Sequence, residues 1–247
     1  MTSTSDTDLT RDAFLGGKLH LWQPRRGYRA GVDPVLLAAS VPAKAGQSVL
    51  DLGCGVGAAA LCLGARVPGL RLLGVERQAG YAALAARNGL DVVTADLKGL
   101  PFAVREQSFD HVLANPPYFD RGAGHSAEDP GREGALGIDT PLADWVDVAA
   151  RRLAYKGHLH MIHRVERVPD ILAAAAGRLG SFQIWPLCPR AGKPAELVIF
   201  RARKSGRAEF RLHAPVILHQ GAAHVADRDS YRPEIQSVLR DGAPLFD

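Results

Sequence analysis

The sequence predicts an α/β fold with a mostly parallel sheet, and two observations carry this prediction. Short apolar runs with the length of buried strands alternate with Ala- and Leu-rich segments of helical spacing between residues 48 and 179. Repeated strand–helix units of this kind form one parallel sheet with helices on both faces. The last two apolar runs are joined only by the turn P-R-A-G-K-P. We therefore expect a seven-stranded, mostly parallel sheet with an antiparallel C-terminal hairpin.

The predicted elements follow one another in a regular order. Strands are expected at residues 48–52, 72–75, 92–95, 111–114, 158–162, 182–187 and 196–202 because each is a short apolar run. Helices are expected at residues 58–67, 79–88, 141–153 and 168–179. In the third helix, Trp145, Val148 and Arg152 recur at helical spacing.

Composition limits the kind of protein and its organisation. The chain has 247 residues, of which 47% are apolar, so one large domain with a substantial core is expected. No apolar run approaches the ~20 residues that span a bilayer, and the polar start does not resemble a secretory signal. The three cysteines indicate a reducing compartment, so we expect a cytoplasmic protein. Residues 1–14 are expected to be a flexible tail, and residues 15–247 a single domain with an N-terminal segment, 15–40, and a C-terminal extension, 205–247.

A concentration of positive charge lies late in the chain. The net charge of +4 decides little, but residues 190–211 contain seven basic residues against two acidic ones. Such a stretch is typical of a nucleic-acid contact. It is equally typical of a solvated sheet edge whose charges oppose aggregation.

The stretch at residues 120–139 is long, irregular, glycine-rich and polar. Loops of this length are usually functional or disordered. Because it directly follows the motif N-P-P-Y, we expect it to be a substrate loop, with Arg121, His125 and Arg132 as weaker substrate contacts.

A glycine-rich loop, D-L-G-C-G-V-G at residues 51–57, follows the first predicted strand of the sheet. Glycines at this point let the backbone turn sharply and let a ligand approach closely. The spacing also fits the dinucleotide pattern G-x-G-x-x-A, which by itself is a weak signal.

Carboxylates at three successive strand ends favour a different ligand from a dinucleotide. Asp51 can hold an ammonium group, Glu76 a ribose diol, and Asp96 an adenine amino group. Alone, Glu76 would be a surface charge and Asp96 a helix cap. Together, at the edge where open α/β sheets bind ligands, they favour a cation with an amine and a ribose. S-adenosylmethionine fits this description.

The motif N-P-P-Y at residues 115–118 ends the fourth strand beside the same crevice. The side-chain oxygen of Asn115 and the carbonyl of Pro116 can accept the two hydrogens of a substrate amine. Pro117 cannot donate into a ladder and stiffens the turn, while Tyr118 offers a flat face for stacking. The motif therefore indicates alignment of a planar amine for attack on a methyl group.

These two motifs resemble those of the class I S-adenosylmethionine-dependent methyltransferases that act on planar amino or amide nitrogens. The resemblance implies a Rossmann-like class I methyltransferase fold. The class includes adenine-N6, guanine-N2 and protein glutamine enzymes, and N-P-P-Y does not choose among them.

Three further stretches resemble one family within this class. They are residues 27–39, residues 162–172, and an ending that contains Y-R-P-E at residues 231–234. Together they are similar to the bacterial tRNA1(Val) (adenine37-N6)-methyltransferases, from about residue 15 to the C-terminus. The resemblance implies an RNA substrate, and methylation of an adenine next to the anticodon.

The resemblance also implies roles for individual residues. The catalytic residues, which hold the adenine, would be Asn115, Pro116, Pro117 and Tyr118. Cofactor-binding residues would be Gly31, Asp51, Gly53, Cys54, Gly55, Glu76, Asp96 and Asn115, with residues 27–33 closing over the methionine end. The candidate RNA contacts in the basic stretch are Arg190, Lys193, Arg201, Arg203 and Lys204.

Two alternative substrates stay open at the level of sequence. An rRNA guanine-N2 methyltransferase would use the same amine geometry, and so would a protein glutamine-N5 methyltransferase. Only 50 residues precede Asp51, which leaves little room for the helical domain usual in the glutamine enzymes. We expect no metal, because the predicted strand brings no carboxylate or cysteine close to His158 and His160.

Overall fold

The helices and strands follow the predicted order in a computed structural model that describes residues 8–118, 140–221 and 230–246. Its strands are β1 Leu9–Phe14, β2 Leu19–Pro24, β3 Ser48–Leu52, β4 Arg71–Glu76, β5 Val92–Thr94, β6 Phe109–Ala114, β7 Leu153–Arg164, β8 Gly180–Cys188, β9 Leu197–Arg203, β10 Arg211–Leu212 and β11 Val216–Ile217. Its helices are α1 Asp33–Ala39, α2 Ala58–Arg66, α3 Ala79–Arg87, α4 Phe102–Arg105, α5 Leu142–Arg152, α6 Val168–Ala175 and α7 Pro233–Gln236. All seven predicted strands and all four predicted helices are present, with ends shifted by a few residues.

The main sheet is mostly parallel, as predicted. In the described part of the chain it has nine strands, in the order β10-β8-β9-β7-β6-β3-β4-β5, and β11 also pairs with β8. Only β9 runs against its neighbours, β7 and β8, which confirms the antiparallel hairpin. The expectation of seven strands was too low, because β10 and β11 add two short parallel pairings to β8.

Both faces of the sheet are covered, as its apolar strands require. Along β3 and β6, Leu50 and Val112 face one apolar cluster, which includes α5 and α6. Val49 and Leu113 face the other, which includes α1 and α2. Alternate residues therefore point to opposite faces, and the central strands are buried throughout.

Part of the expected N-terminal tail is ordered. Residues 9–14 form β1, which pairs antiparallel with β2 in a separate two-stranded sheet. Asp12 on β1 accepts a hydrogen bond from Gln23 Nε2 on β2 at 2.7 Å. The tail prediction was wrong for these residues because the strand depends on its partner and not on its own polar sequence. Residues 1–7 lie outside the described residues.

The C-terminal extension packs against the sheet. The backbone nitrogen of Leu245 donates to the carbonyl of Ala39 at 2.9 Å, and the Phe246 ring stacks on Trp185 at 4.5 Å. The extension therefore completes the apolar cluster around α1 and α2.

Three expectations from the sequence concern a loop, membrane spans and metal sites. The predicted substrate loop, residues 120–139 with Arg121, His125 and Arg132, lies outside the described residues. Among the residues that are described, no helix has the length and apolar character needed to cross a membrane. In the same ranges, no three His, Cys, Asp or Glu side chains are grouped so as to hold a metal ion.

Three histidines lie together on one face of β6 and β7. His111 Nδ1 is 3.1 Å from His160 Nε2, and His111 Nε2 is 3.1 Å from Gln47 Oε1. The His158 ring is 6.1 Å from that of His111. Burial lowers the pKa of His111 to about 4, and neighbouring His158 acts in the same direction. The cluster is therefore neutral at neutral pH.

We expect this cluster to make the fold sensitive to acid. The pKa of His111 is lower in the folded than in the unfolded chain. The contribution of neutral His111 to the free energy of unfolding is therefore complete above pH ~6.5 and is lost as the pH falls towards 4. From a shift of this size the loss is on the order of 3 kcal/mol. Urea unfolding of wild type and His111→Gln at pH 7.0, 5.5 and 4.5 measures it, and the variant should lose less stability than wild type.

The comparison of wild type with His111→Gln removes the effect of the other titrating groups on stability. Buried carboxylates with raised pKa values act in the opposite direction, but both proteins contain them. Replacing His20, which is exposed on β2, provides a matched histidine substitution. Equal acid sensitivity in wild type and His111→Gln would contradict the prediction.

Candidate functional site

The register of three central strands brings the predicted site residues level with one another. Leu52 of β3 pairs with Val75 of β4 and with Ala114 of β6. The next residues along these strands are Gly53, Glu76 and Asn115, so they lie side by side at the carboxyl edge of the sheet. A pocket opens there. Its lining includes Tyr28, Asp33, Asp51, Gly53, Cys54, Gly55, Glu76, Asp96, Asn115, Pro116, Pro117, Tyr118 and Trp145.

The glycine-rich loop is fixed by the strand beside it. Glu76 Oε2 accepts a hydrogen bond from the Gly55 backbone nitrogen at 3.0 Å, and the Cys54 nitrogen donates to Val75 at 3.0 Å. Gly53 has φ +64°, and a Cβ there would lie 2.4 Å from the Trp145 ring. Glycine is therefore required at this position both by the backbone and by the ring that packs against it.

Asp51 is a buried carboxylate at the start of this loop. Its side chain accepts a hydrogen bond from the Ala60 backbone nitrogen at 3.2 Å, in the first turn of α2. Burial raises the pKa of Asp51 to about 7, the Ala60 hydrogen bond opposes this, and Glu76 adds to it. Burial likewise raises the pKa of Glu76. Two carboxylates that are partly desolvated in one pocket favour a cationic ligand.

The other predicted cofactor residues take more varied positions. Asp96 lies at the pocket rim, is exposed, and accepts from the Lys98 backbone nitrogen at 2.9 Å, so it also caps a short 3₁₀ turn. Cys54 lines the pocket, and burial raises the pKa of its thiol, which keeps it protonated. Gly31 is exposed and is not part of the lining, although Asp33 two residues later is.

The motif N-P-P-Y follows β6 and forms the far wall of the pocket. The Tyr118 hydroxyl lies 2.7 Å from Asp33 Oδ2 and 3.2 Å from Asn115 Oδ1. The Tyr118 ring also contacts the His163 ring, with centroids 5.2 Å apart. Asn115 and Tyr118 are thus held together beside the ends of β6 and β7.

The lining also includes Tyr28 and Asp33, from the segment 27–33 that was expected to close over the cofactor, and Trp145. Tyr28 comes from the connection between β2 and α1, and its backbone nitrogen donates to the Tyr81 hydroxyl at 2.9 Å. Burial raises the Tyr28 pKa, and the carboxylates of Asp33 and Asp51 raise it further. Tyr28 and Asp33 lie within the stretch at residues 27–39 that carried the family resemblance, which was the available signal. Trp145 was predicted only as part of a helix face.

The structure does not bring the five predicted RNA contacts together. Arg190 and Lys193 lie in the turn between β8 and β9, at the same edge of the sheet as the pocket. Arg203 pairs with His158, near the amino end of β7, and Lys204 Nζ donates to the Leu153 carbonyl at 2.7 Å. Arg203 and Lys204 therefore lie at the opposite edge.

Arg201 has a structural environment. Its guanidinium donates to the Ser40 carbonyl at 2.6 Å and lies over the Trp185 ring at 4.7 Å. Burial lowers its pKa to about 10, which still leaves it charged at neutral pH. Because it binds the carbonyl just after α1, Arg201 stabilises the end of that helix. The five candidate RNA contacts therefore divide between the two edges of the sheet and the strand between them, and their contact with RNA stays a prediction.

Comparison with known proteins shows the family of this chain. The model of the family described as methyltransferase small domain matches residues 30–179, which contain the pocket's glycine loop, its carboxylates and N-P-P-Y. The chain belongs to this methyltransferase family. The Rossmann-like class I methyltransferase fold expected from the sequence is thus confirmed.

Individual relatives cover most of the chain. A protein of Aeromonas hydrophila named tRNA1(Val) (adenine(37)-N6)-methyltransferase is 29% identical over 230 residues, which is 87% of this chain and 92% of the relative. A solved structure from Agrobacterium tumefaciens, described as a predicted O-methyltransferase, is 27% identical, with a TM-score of 0.69 over 85% of this chain and 97% of that chain. The T. thermophilus 16S rRNA N2 G1207 methyltransferase, solved with AdoMet and guanosine, shares the fold, with a TM-score of 0.53 and 23% identity over 79% of this chain and 50% of that chain.

Proposed function

We propose that this chain is an S-adenosylmethionine-dependent methyltransferase that methylates the N6 amine of an adenine in tRNA, next to the anticodon. The observation that carries the proposal is the position of Asn115–Tyr118, side by side with the glycine loop and the two buried carboxylates. The substrate assignment extends the name of the Aeromonas relative, tRNA1(Val) (adenine(37)-N6)-methyltransferase, to this chain. Since its substrate is tRNA, we place the enzyme in the bacterial cytoplasm.

The pocket fits the cofactor by its charge. S-adenosylmethionine supplies an electrophilic methyl group on a sulfonium, and it carries an ammonium group and a ribose. Asp51 would hold the ammonium group, because its burial makes a cationic partner favourable. Glu76, at the next strand end, would hold the ribose hydroxyls, and Asp96 at the rim the adenine.

The wall opposite the cofactor suits an amine with two hydrogens. Asn115 Oδ1 and the Pro116 carbonyl would each accept one of them, which points the nitrogen lone pair at the methyl group. The Tyr118 ring would stack on the base. The proton leaves after the methyl group arrives, so the reaction needs alignment more than a strong base.

The first prediction from this function concerns the methylated base and the N-P-P-Y motif. The protein, labelled S-adenosylmethionine and total tRNA should give N6-methyladenosine after digestion to nucleosides. Asn115→Ala should lower the turnover roughly a hundredfold or more, because an acceptor that acts on the transition state is removed. Arg203→Ala, at the opposite edge of the sheet, is the control and should keep its activity.

The other outcomes of this assay are equally informative. Label in guanine alone would contradict the adenine assignment and favour a guanine-N2 methyltransferase. Label on protein glutamine, with none in RNA when lysate is supplied, would overturn the RNA substrate.

A second prediction uses the raised pKa of Asp51. Cofactor binding requires the carboxylate, so the acid form must lose its proton, and affinity should rise with pH up to about 7. At pH values well below the pKa of Asp51, the dissociation constant of the cofactor should fall about tenfold for each unit by which the pH rises. Calorimetric titration at pH 5.5, 6.25 and 7.0 measures this, below the range in which an α-amino group deprotonates.

Variants identify the group responsible. Asp51→Asn should bind the cofactor weakly and with little pH dependence. Asp96→Asn should keep the pH dependence, since Asp96 is exposed at the rim. A pH-independent affinity in wild type would contradict the assigned role of Asp51.

A third prediction concerns the RNA surface. We propose that Arg190 and Lys193 contact RNA, because the turn between β8 and β9 lies at the edge of the sheet that carries the pocket. Lys193→Ala should weaken tRNA binding several-fold and reduce the salt dependence by about one phosphate contact. Filter binding at 50 and 200 mM salt measures both, with Arg203→Ala as the control. Equal effects of the two variants would contradict this surface.

A further inference from the structure

The Tyr118 hydroxyl stands between two oxygen atoms but has only one proton. Asp33 Oδ2 is 2.7 Å away and Asn115 Oδ1 is 3.2 Å away. A phenol donates one hydrogen bond, and both of these atoms are acceptors when Asp33 is ionised. The three groups therefore cannot all be satisfied unless one of them changes its proton or its orientation.

Two arrangements satisfy all three groups. In the first, Asp33 is protonated and donates to Tyr118, so that Tyr118 can donate to Asn115 Oδ1. In the second, Asp33 is ionised and accepts the Tyr118 proton, and the Asn115 amide turns so that its Nδ2 donates to the Tyr118 oxygen. The two ends of an amide are similar in size, so this rotation needs no repacking.

The two arrangements differ in what they offer a substrate. In the first, one of the two lone pairs of the Asn115 oxygen is already occupied by the Tyr118 hydroxyl. In the second, that oxygen is turned away from Tyr118 and is available to accept a hydrogen from an amine. An amide oxygen has two lone pairs, so the second arrangement leaves both of them to the substrate whereas the first leaves one, and the second therefore supplies the better acceptor for the proposed function.

We propose that Asp33 is a positioning residue that acts through Tyr118 to set the orientation of the Asn115 amide. The ionised carboxylate holds the Tyr118 proton, and Tyr118 in turn holds the amide nitrogen. This assigns a role to the stretch between β2 and α1 beyond covering the cofactor. The effect of this positioning on catalysis rests on the proposed function, but the hydrogen-bond relay itself does not.

The surroundings of Asp33 favour its protonated form more than water does. Burial raises the pKa of Asp33, and the hydrogen bond from Tyr118 opposes this shift. Tyr28 faces Asp33 from the connection before α1, and burial raises its own pKa as well, so it stays neutral. From β7, His163 contacts the Tyr118 ring and Arg164 acts on Tyr118 as a positive charge. Burial lowers the pKa of His163 to about 4, which keeps it neutral above that pH.

The asparagine content of the chain permits a direct test. Asparagine occurs only at positions 88 and 115, so labelling with ¹⁵N-asparagine gives two side-chain amide groups in an NMR spectrum. Asn88 is an internal control, because its amide bonds to the backbone of Trp22 and Val56, away from Tyr118. Asn115→Ala assigns the other pair of signals.

We expect the Asn115 amide signals to shift as the pH is lowered from 8 and Asp33 takes up its proton, while those of Asn88 stay constant. In Tyr118→Phe and in Asp33→Ala this shift should disappear, since each variant breaks the relay and neither adds an asparagine. An Asn115 titration that is unchanged in Tyr118→Phe, or no titration in wild type, would overturn the proposal. The test needs neither RNA nor methyl transfer, so its result is independent of whether tRNA is the substrate.

Kinetics provide a second readout where Asp33→Asn folds. With saturating cofactor, Asp33→Asn and Tyr118→Phe should each lower kcat by roughly tenfold, the effect of one charge-assisted hydrogen bond. The double variant should be no slower than the slower single variant, and the KM for cofactor should change less than twofold. Losses that multiply in the double variant would show that the two residues act separately and would overturn the relay.

Discussion

The pairing register of β4, β3 and β6 is the constraint on which the rest of the site depends. Because Leu52 pairs with both Val75 and Ala114, the chain leaves the three strands at the same height. A shift of one residue in either pair would turn the side chain that follows to the other face. The buried apolar residues on both faces of these strands fix the register. The core thus determines which polar groups meet at the pocket.

The pocket holds its carboxylates in buried surroundings that disfavour their ionised form. Asp51 is buried, and it accepts a hydrogen bond from a backbone nitrogen of α2. Glu76 uses both oxygens on backbone donors, Gly55 and Gln78, so it orders the loop before any ligand arrives. The loop and its carboxylates are therefore preorganised. A cation that binds there is stabilised without reorganisation of the protein around it.

Sequence reasoning recovered the parts of the molecule that depend on local pattern. The strand ends at Asp51, Glu76 and Asn115 follow from short apolar runs with polar residues after them. Reasoning from sequence failed where partners distant in the chain decide the structure. β1 forms because it pairs with β2, and β10 and β11 are only two residues long and exist through β8.

The basic residues at 190–211 are divided between two surfaces for a geometric reason. Residues close in sequence can lie at opposite edges of a sheet, since a strand of this length spans roughly 20 Å. Arg190 and Arg203 flank β9 in this way, so a charge count along the chain merges two surfaces. Arg201 lies within the strand, and there the alternation of side chains directs it towards Ser40 and Trp185. Neither the separation of Arg190 from Arg203 nor the direction of the Arg201 side chain can be predicted without the pairing of β9.

The geometry at N-P-P-Y also bears on the choice between nitrogen and oxygen as the methyl acceptor. An alcohol has one hydrogen and is a weak nucleophile until a base removes it, whereas an amine attacks with its lone pair and loses a proton afterwards. The hydroxyl next to Asn115 belongs to Tyr118, and burial raises its pKa, so it is not a base at neutral pH. In the proposed function, Asn115 Oδ1 and the Pro116 carbonyl would be two acceptors for the two hydrogens of an amine. For this chain the arrangement favours an amine, although a similar solved protein is described as a predicted O-methyltransferase.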